Sequence, residues 1–206
     1  MIPSECLQLI VTLVPAEDAC IARLCTYEYA GNSWHRVFGP CPVVIGRSGL
    51  TWDKKEGDGK TPSGVFPLLQ VFGRKEHKTQ TMPFIEVHHA LEAIDDPSSM
   101  YYNQIIDRNT VTQVDWKSSE KMAEVGDLYD LGVVVGYNTP SPVAGKGSCI
   151  FLHNWRSASQ GTAGCTAMSP EVLRRCVFLL DKTKNPHIVQ VSAQEAWRLP
   201  VEARSP

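Results

Sequence analysis

One stretch of the chain carries residue types that could do nucleophilic chemistry: Gly147 to Met168, GSCIFLHNWRSASQGTAGCTAM. An apolar run ends on His153, a polar loop containing Gly161 follows, and Cys165 comes directly after Gly164. A cysteine beside a histidine is productive because the thiolate is the nucleophile, and an imidazole can take the thiol proton and stabilise the charge left behind. Two cysteines compete for the role. Were 148–155 a strand, Cys149, Phe151, His153 and Trp155 would share one face, yet Cys149 and His153 would stand roughly 13 Å apart at about 3.3 Å per residue. That exceeds hydrogen-bond reach. Cys165 can return to the histidine through Gly161 and Gly164, and a glycine before it allows a tight turn whose backbone N–H groups face a developing oxyanion. A buried structural thiol and a hydrogen-bonded core histidine are compatible with the same residues, so spacing alone leaves both readings open.

The elements that must hold these groups read as strands. Leu7 to Val14 is a branched apolar run closed by Pro15, and Ile21 to Tyr29 alternates. The tetrad Ala30-Gly31-Asn32-Ser33 is turn chemistry before Trp34–Phe38, and Gly39-Pro40 is expected to break that segment before Val43-Val44-Ile45. This is an antiparallel meander. Val65–Leu69, Leu131–Tyr137 and His187–Val191 are further strands, and a short tail is expected to follow the last of them. Ser169-Pro170-Glu171 is a helix start, with a serine cap, proline at the first position and an acidic first turn. Val172, Leu173, Cys176, Val177 and Leu180 then mark one helical face, and Lys182–Pro186 ends it.

Two regions look like surface. Gly46 to Gly64 contains five glycines around the charged run Lys54–Lys60, and reads as a solvated hairpin loop. It is not a phosphate-binding loop, because Gly59-Lys60-Thr61 runs into Pro62 and a strand rather than a helix. Residues 74–122 are polar and weakly periodic, and read as long loops decorating a β core. Within them, Asp95-Asp96-Pro97-Ser98 is more readily a turn or cap than an acid/base or cation site. His88 and His89 are adjacent, would face opposite sides of a strand, and are given no role.

Composition narrows the function classes. Lys plus Arg number 20 and Asp plus Glu 22, a formal charge of −2 with no long block of one sign, which argues against a nucleic-acid partner. No apolar run approaches the roughly 20 residues of a membrane span, and Met1–Cys6 lacks the basic region of a signal peptide. Seven cysteines include no C-x-x-C pair, so no metal site and no cofactor is expected. The length suits one domain over 1–206, expected to be a monomer.

The segment from His153 to Cys165 resembles the signature of the L,D-transpeptidase catalytic domain (YkuD type), in which a histidine ending a strand is followed by a Ser/Thr-x-Gly-Cys tetrad, here Thr162-Ala163-Gly164-Cys165. Thr61-Pro62-Ser63-Gly64-Val65-Phe66 is similar to the Thr-Pro-x-Gly strand start upstream in that family, so the resemblance covers roughly residues 40 to 180. It implies a mainly β, sandwich-like fold with long loops and one helix after the nucleophile. It also implies roles: Cys165 the nucleophile, His153 its base, the Asn154 carbonyl an orienter of the imidazole, and the N–H groups of Gly164, Cys165 and Ala163 an oxyanion hole. Trp155, Arg156, Thr162 and Ala163 are the expected substrate contacts. The implied substrate is a peptidoglycan stem peptide, which would acylate Cys165 and be released to an amine or to water, placing the protein in the cell envelope, periplasm or exterior. The chain departs from the pattern at Ala163, where many members carry a second histidine, and at Ala167, where they carry arginine or asparagine. L,D-carboxypeptidase or endopeptidase activity, or a non-catalytic wall-binding module, are the alternatives. A nucleophilic Cys165 is expected to ionise below the ordinary thiol value of about 8.5.

Overall fold

The structure, a computed structural model, describes residues 1–75 and 81–200. Its strands, in chain order, are β1 (Gln8–Val14), β2 (Ile21–Ala30), β3 (Ser33–Val44), β4 (Leu50–Thr51), β5 (Thr61–Pro62), β6 (Gly64–Gly73) and β7 (Phe84–Glu86). Then come β8 (Leu91–Ala93), β9 (Ile105–Asp107), β10 (Glu120–Lys121), β11 (Leu131–Val135), β12 (Phe151–Asn154) and β13 (Thr166–Met168), the helix α1 (Pro170–Leu179) and β14 (His187–Ser192). Nine strands form one mixed sheet in the order β11-β12-β13-β3-β2-β1-β14-β6-β7, and β6 also pairs with β11. That second pairing joins the sheet to itself, so eight strands make a hydrogen-bonded ring with β7 hanging from β6. The mainly β fold with one principal helix is as expected.

The ring exists because its strands carry apolar residues on the faces that turn inward. Ile10, Val14, Leu24, Val43, Val71, Val133, Leu152, Met168 and Ile188 form one buried cluster with Leu173, Cys176 and Val177 of α1. Each fully buried aliphatic side chain contributes about 1.5–3 kcal/mol relative to exposure. The helix starts as its sequence predicts: Ser169 Oγ accepts from the Val172 N–H at 3.3 Å, and Pro170 takes the first position. Its apolar stripe lies over β11 and β12, holding the strand that ends at Asn154 from behind.

Four sequence expectations need correction. Gly39-Pro40 does not break β3: the strand runs through to Val44, and the disturbance is absorbed as register shifts opposite Thr26. The strand before His153 starts at Phe151, not Ser148, because Cys149 has a left-handed backbone (φ +52°). Residues 74–122 are not only loops, since β8, β9 and β10 form their own sheet in the order β10-β8-β9; residues 76–80 of that region lie outside the described residues, as does the expected tail at 201–206. Asp96 within it is a turn residue, its Oδ1 accepting from the Ser98 N–H at 2.9 Å.

The fourth correction concerns the charged loop 54–60, which is not a solvated hairpin. Lys54 is only 3 % exposed, and its ammonium donates to Asp58 Oδ1 at 2.6 Å and to the Lys55 carbonyl at 3.0 Å. Glu56 accepts from Tyr102 Oη at 2.5 Å and Ser148 Oγ at 2.8 Å. Composition cannot reveal this, because a charge run looks solvated until its partners, supplied from 102 and 148, are known.

Candidate active site

Strand pairing brings the two sequence-predicted groups together. β12 and β13 are parallel, with Leu152 opposite Thr166 and His153 opposite Ala167. Cys165 stands two residues before Ala167, so its side chain projects from the face that carries His153. Both line one cleft of about 380 Å³ together with Glu120, Tyr129, Trp155, Arg156, Thr162 and Ala163.

The histidine is held in one tautomer. Its Nδ1 lies 2.7 Å from the Asn154 backbone oxygen. A carbonyl can only accept, so Nδ1 carries the hydrogen and Nε2 is the free base. Tyr129 packs edge-on against the ring, with centroids 5.4 Å apart, and Asn154 Nδ2 ties β12 to the Tyr129 turn through the Asp127 carbonyl at 2.7 Å. Burial pushes His153 down to about 4, its own hydrogen bond to Asn154 opposing and the Arg156 charge reinforcing.

The thiol sits deeper than the sequence suggests. Cys165 Sγ accepts from the Phe151 N–H at 3.2 Å and donates to the Cys149 carbonyl at 3.4 Å. Burial pushes it up to about 12, with the Glu120 carboxylate adding to that and the Phe151 amide and Lys54 opposing. Burial thus acts against the low ionisation expected of a nucleophilic thiol. It favours the neutral form of both groups, thiol and imidazole.

A buried polar network positions the turn from behind. Thr61 Oγ1 accepts from the Gly46 N–H at 2.8 Å and donates to the Gly164 carbonyl at 2.7 Å. Thr166 Oγ1 donates to Gln190 Oε1 at 2.5 Å, whose amide reaches the Pro62 carbonyl at 3.1 Å. Every member is satisfied, which is the condition under which buried polar groups rigidify rather than destabilise. Gly164 allows close packing: a Cβ there would stand 3.0 Å from the Lys60 oxygen. Its N–H, expected among the oxyanion donors, instead donates to Thr162 Oγ1 at 3.1 Å, and Thr162 Oγ1 in turn donates to the Cys165 carbonyl at 2.6 Å. Thr162 is thereby a brace of the turn.

Trp155 is half-buried and its N–H donates to Met168 O at 2.8 Å, whereas Arg156 and Ala163 are exposed at the rim. Arg47, Tyr129 and Glu120 join the cleft without a signal in the sequence. Arg47 arrives because its N–H donates to the Thr162 carbonyl at 2.8 Å, and the backbone approach there is so close that a Cβ at Gly161 would meet Arg47 Cα at 2.6 Å. Tyr129 comes from the turn before β11, and Glu120 from β10 of the small sheet. Each is remote in sequence, and no local pattern marks it. Cys149 lies in the same apolar cluster as Cys165 without lining this cleft.

The L,D-transpeptidase catalytic domain family (YkuD) matches residues 23–189. Among curated proteins no match is found. The crystal structure of the helical cell shape determining protein Pgp2 from Campylobacter jejuni is similar at 17 % identity and a TM-score of 0.45, covering 90 % of this chain and 48 % of that one. The chain thus spans about half the length of that protein.

Proposed function

The chain belongs to the L,D-transpeptidase catalytic domain family, which acts on peptidoglycan, and from that premise we propose that it is a cysteine acyltransferase acting on peptidoglycan stem peptides in the cell envelope. The observation that carries this reading is the convergence of Cys165 and His153 on one cleft, with the imidazole pinned through Nδ1 so that Nε2 is the available base.

The chemistry follows from the resting state. With thiol and imidazole both neutral, the proton moves from Cys165 Sγ to His153 Nε2 as the sulfur attacks the carbonyl that follows the L-centre of the stem. The oxyanion is held by the amides of Ala163 and Cys165. The imidazolium returns its proton to the departing D-residue amine, and the acyl group stays on sulfur. An amine or water then attacks the thioester, giving a crosslinked or a hydrolysed product. Arg47 and Arg156 at the rim suit the carboxylate of a stem peptide, and supply positive charge in a cleft where Ala167 supplies none.

The test is the intact mass of the protein after incubation with a purified tetrapeptide muropeptide, with peptide mapping of the adduct. An acyl adduct on the Cys165 peptide is expected, absent in Cys165→Ala. Unchanged muropeptide turnover by Cys165→Ala would sink the reading.

A further inference from the structure

Glu120 is a cleft residue that the reaction described above does not use. It is delivered by β10, which pairs with β8 so that Glu120 stands opposite Ala93, and it lines the cleft with Cys165 and His153. Tyr129 Oη donates to Glu120 Oε2. Among the described residues Oε1 has no hydrogen-bond partner. A carboxylate with one oxygen tied down and one free is an acceptor without a donor, and a half-buried one loses hydration that a ligand can replace.

The charges in the cleft are sorted in space. Arg47 and Arg156 are exposed at the rim on the loops 45–48 and 155–161, whereas Glu120 approaches from the small sheet alongside Tyr129. The two guanidinium groups suit an anionic group. Only Glu120, among the described residues lining the cleft, suits a cationic one, and it acts on the nucleophile itself, since its charge is one of the influences that raise Cys165. An ammonium group seated on Glu120 would share the cleft with the acylated sulfur.

We propose that Glu120 binds the ammonium group of the acyl acceptor and directs the Cys165 acyl-enzyme toward transfer to an amine rather than to water. The inference rests on the acyltransferase reading above. The step balances. The bound R–NH3+ gives one proton to the Glu120 carboxylate, its freed nitrogen lone pair attacks the thioester carbonyl, and the C–S bond breaks as the amide forms. The second nitrogen proton passes through His153 Nε2 to Cys165 Sγ, and the Glu120 proton is released to solvent. Proton uptake by Glu120 is favoured by its surroundings: burial raises it, Tyr129 opposes that, and Asp95 and Glu56 add to it. Tyr129 and His153 line the same cleft, Cys149 shares the apolar cluster of Cys165, and Lys54 acts on its thiol from the 54–60 loop; of the groups named, Glu120 alone is a carboxylic acid.

The experiment measures product partition. A tetrapeptide muropeptide serves as donor and Nα-acetyl-lysinamide, with one ammonium and no carboxylate, as acceptor; aminolysis and hydrolysis products are quantified by mass spectrometry. The wild-type ratio of aminolysis to hydrolysis is expected to rise with acceptor concentration, and to fall about tenfold in Glu120→Gln, the loss of one charge-assisted hydrogen bond. Glu120→Asp should recover part of it. A ratio unchanged in Glu120→Gln, with both products falling equally, identifies a merely structural residue and overturns the inference while leaving the acyltransferase reading intact; a ratio that rises assigns Glu120 to water and overturns it too. No donor turnover by the wild type overturns both.

Discussion

His153 with Cys165 and His187 with Cys6 are built alike. Each histidine sits in a strand with Nδ1 on a backbone carbonyl, His153 on Asn154 at 2.7 Å and His187 on Asn185 at 2.8 Å. Each has a cysteine close by, since the His187 backbone lies against the Cys6 sulfur. Burial does not separate them: His153 and Cys165 are 7 % and 8 % exposed, His187 and Cys6 6 % and 3 %. The surroundings do. Cys6 packs among Leu9, Val11, Tyr27, Val189 and Val191, whereas Cys165 meets a cleft with a carboxylate, two guanidinium groups and a half-buried tryptophan. A Cys–His neighbourhood is thus common architecture, and what marks a candidate site is an opening that a substrate can enter.

The strongest way to break this contrast is to delete each sulfur. Cys165→Ala is expected to lower muropeptide turnover by about 10⁴-fold or more, as removal of a nucleophile does, while Cys6→Ala retains turnover and lowers stability by about 1 kcal/mol in urea unfolding. Equal turnover in the two variants would erase the distinction. Next in size is the base. His153→Gln should reduce kcat about 10²- to 10⁴-fold, and His187→Gln should act on stability alone, by about 1–2 kcal/mol, through its lost bond to Asn185.

The pH dependence of folding sharpens the same comparison. His153 is held down to about 4 in the fold against an ordinary 6.5. As pH falls below 6.5 the unfolded chain takes the proton first, so stability present above 6.5 drains away toward pH 4, by up to about 3 kcal/mol. Urea unfolding at pH 7 and pH 4.5 should show this loss in the wild type and in His187→Gln. His153→Gln should flatten it, and an undiminished slope in that variant would assign the loss to other groups. A further effect concerns the turn. Gly164→Ala places a Cβ 3.0 Å from the Lys60 oxygen, which should cost about 1–2 kcal/mol and slow acylation by displacing Cys165; a thermal melt and a single-turnover assay would read the two parts.

Much of this molecule is legible along the chain. The β1–β2–β3 meander, β6, β11, β14 and the capped helix α1 follow from alternation, turn residues and Ser169-Pro170, because those signals act over a few residues. The errors fall where distant partners decide. Gly39-Pro40 reads as a break, yet β2 carries β3 across it. The run 54–60 reads as solvated, yet Tyr102 and Ser148 bury it. Gly164 reads as an oxyanion donor, yet Thr162 takes its N–H.

Residue type and spacing alone singled out His153 and Cys165 as candidates, and the Thr162–Cys165 tetrad supplied the resemblance that named the family. That Cys165 rather than Cys6 meets an opening, that burial raises its thiol, and that Arg47, Glu120 and Tyr129 join it were decided only by the tertiary structure. The reason is physical: access and local field depend on which strands lie side by side, and the register of β12 on β13 and the placement of β10 are set by packing across the whole sheet, to which no window of sequence around the cysteine refers.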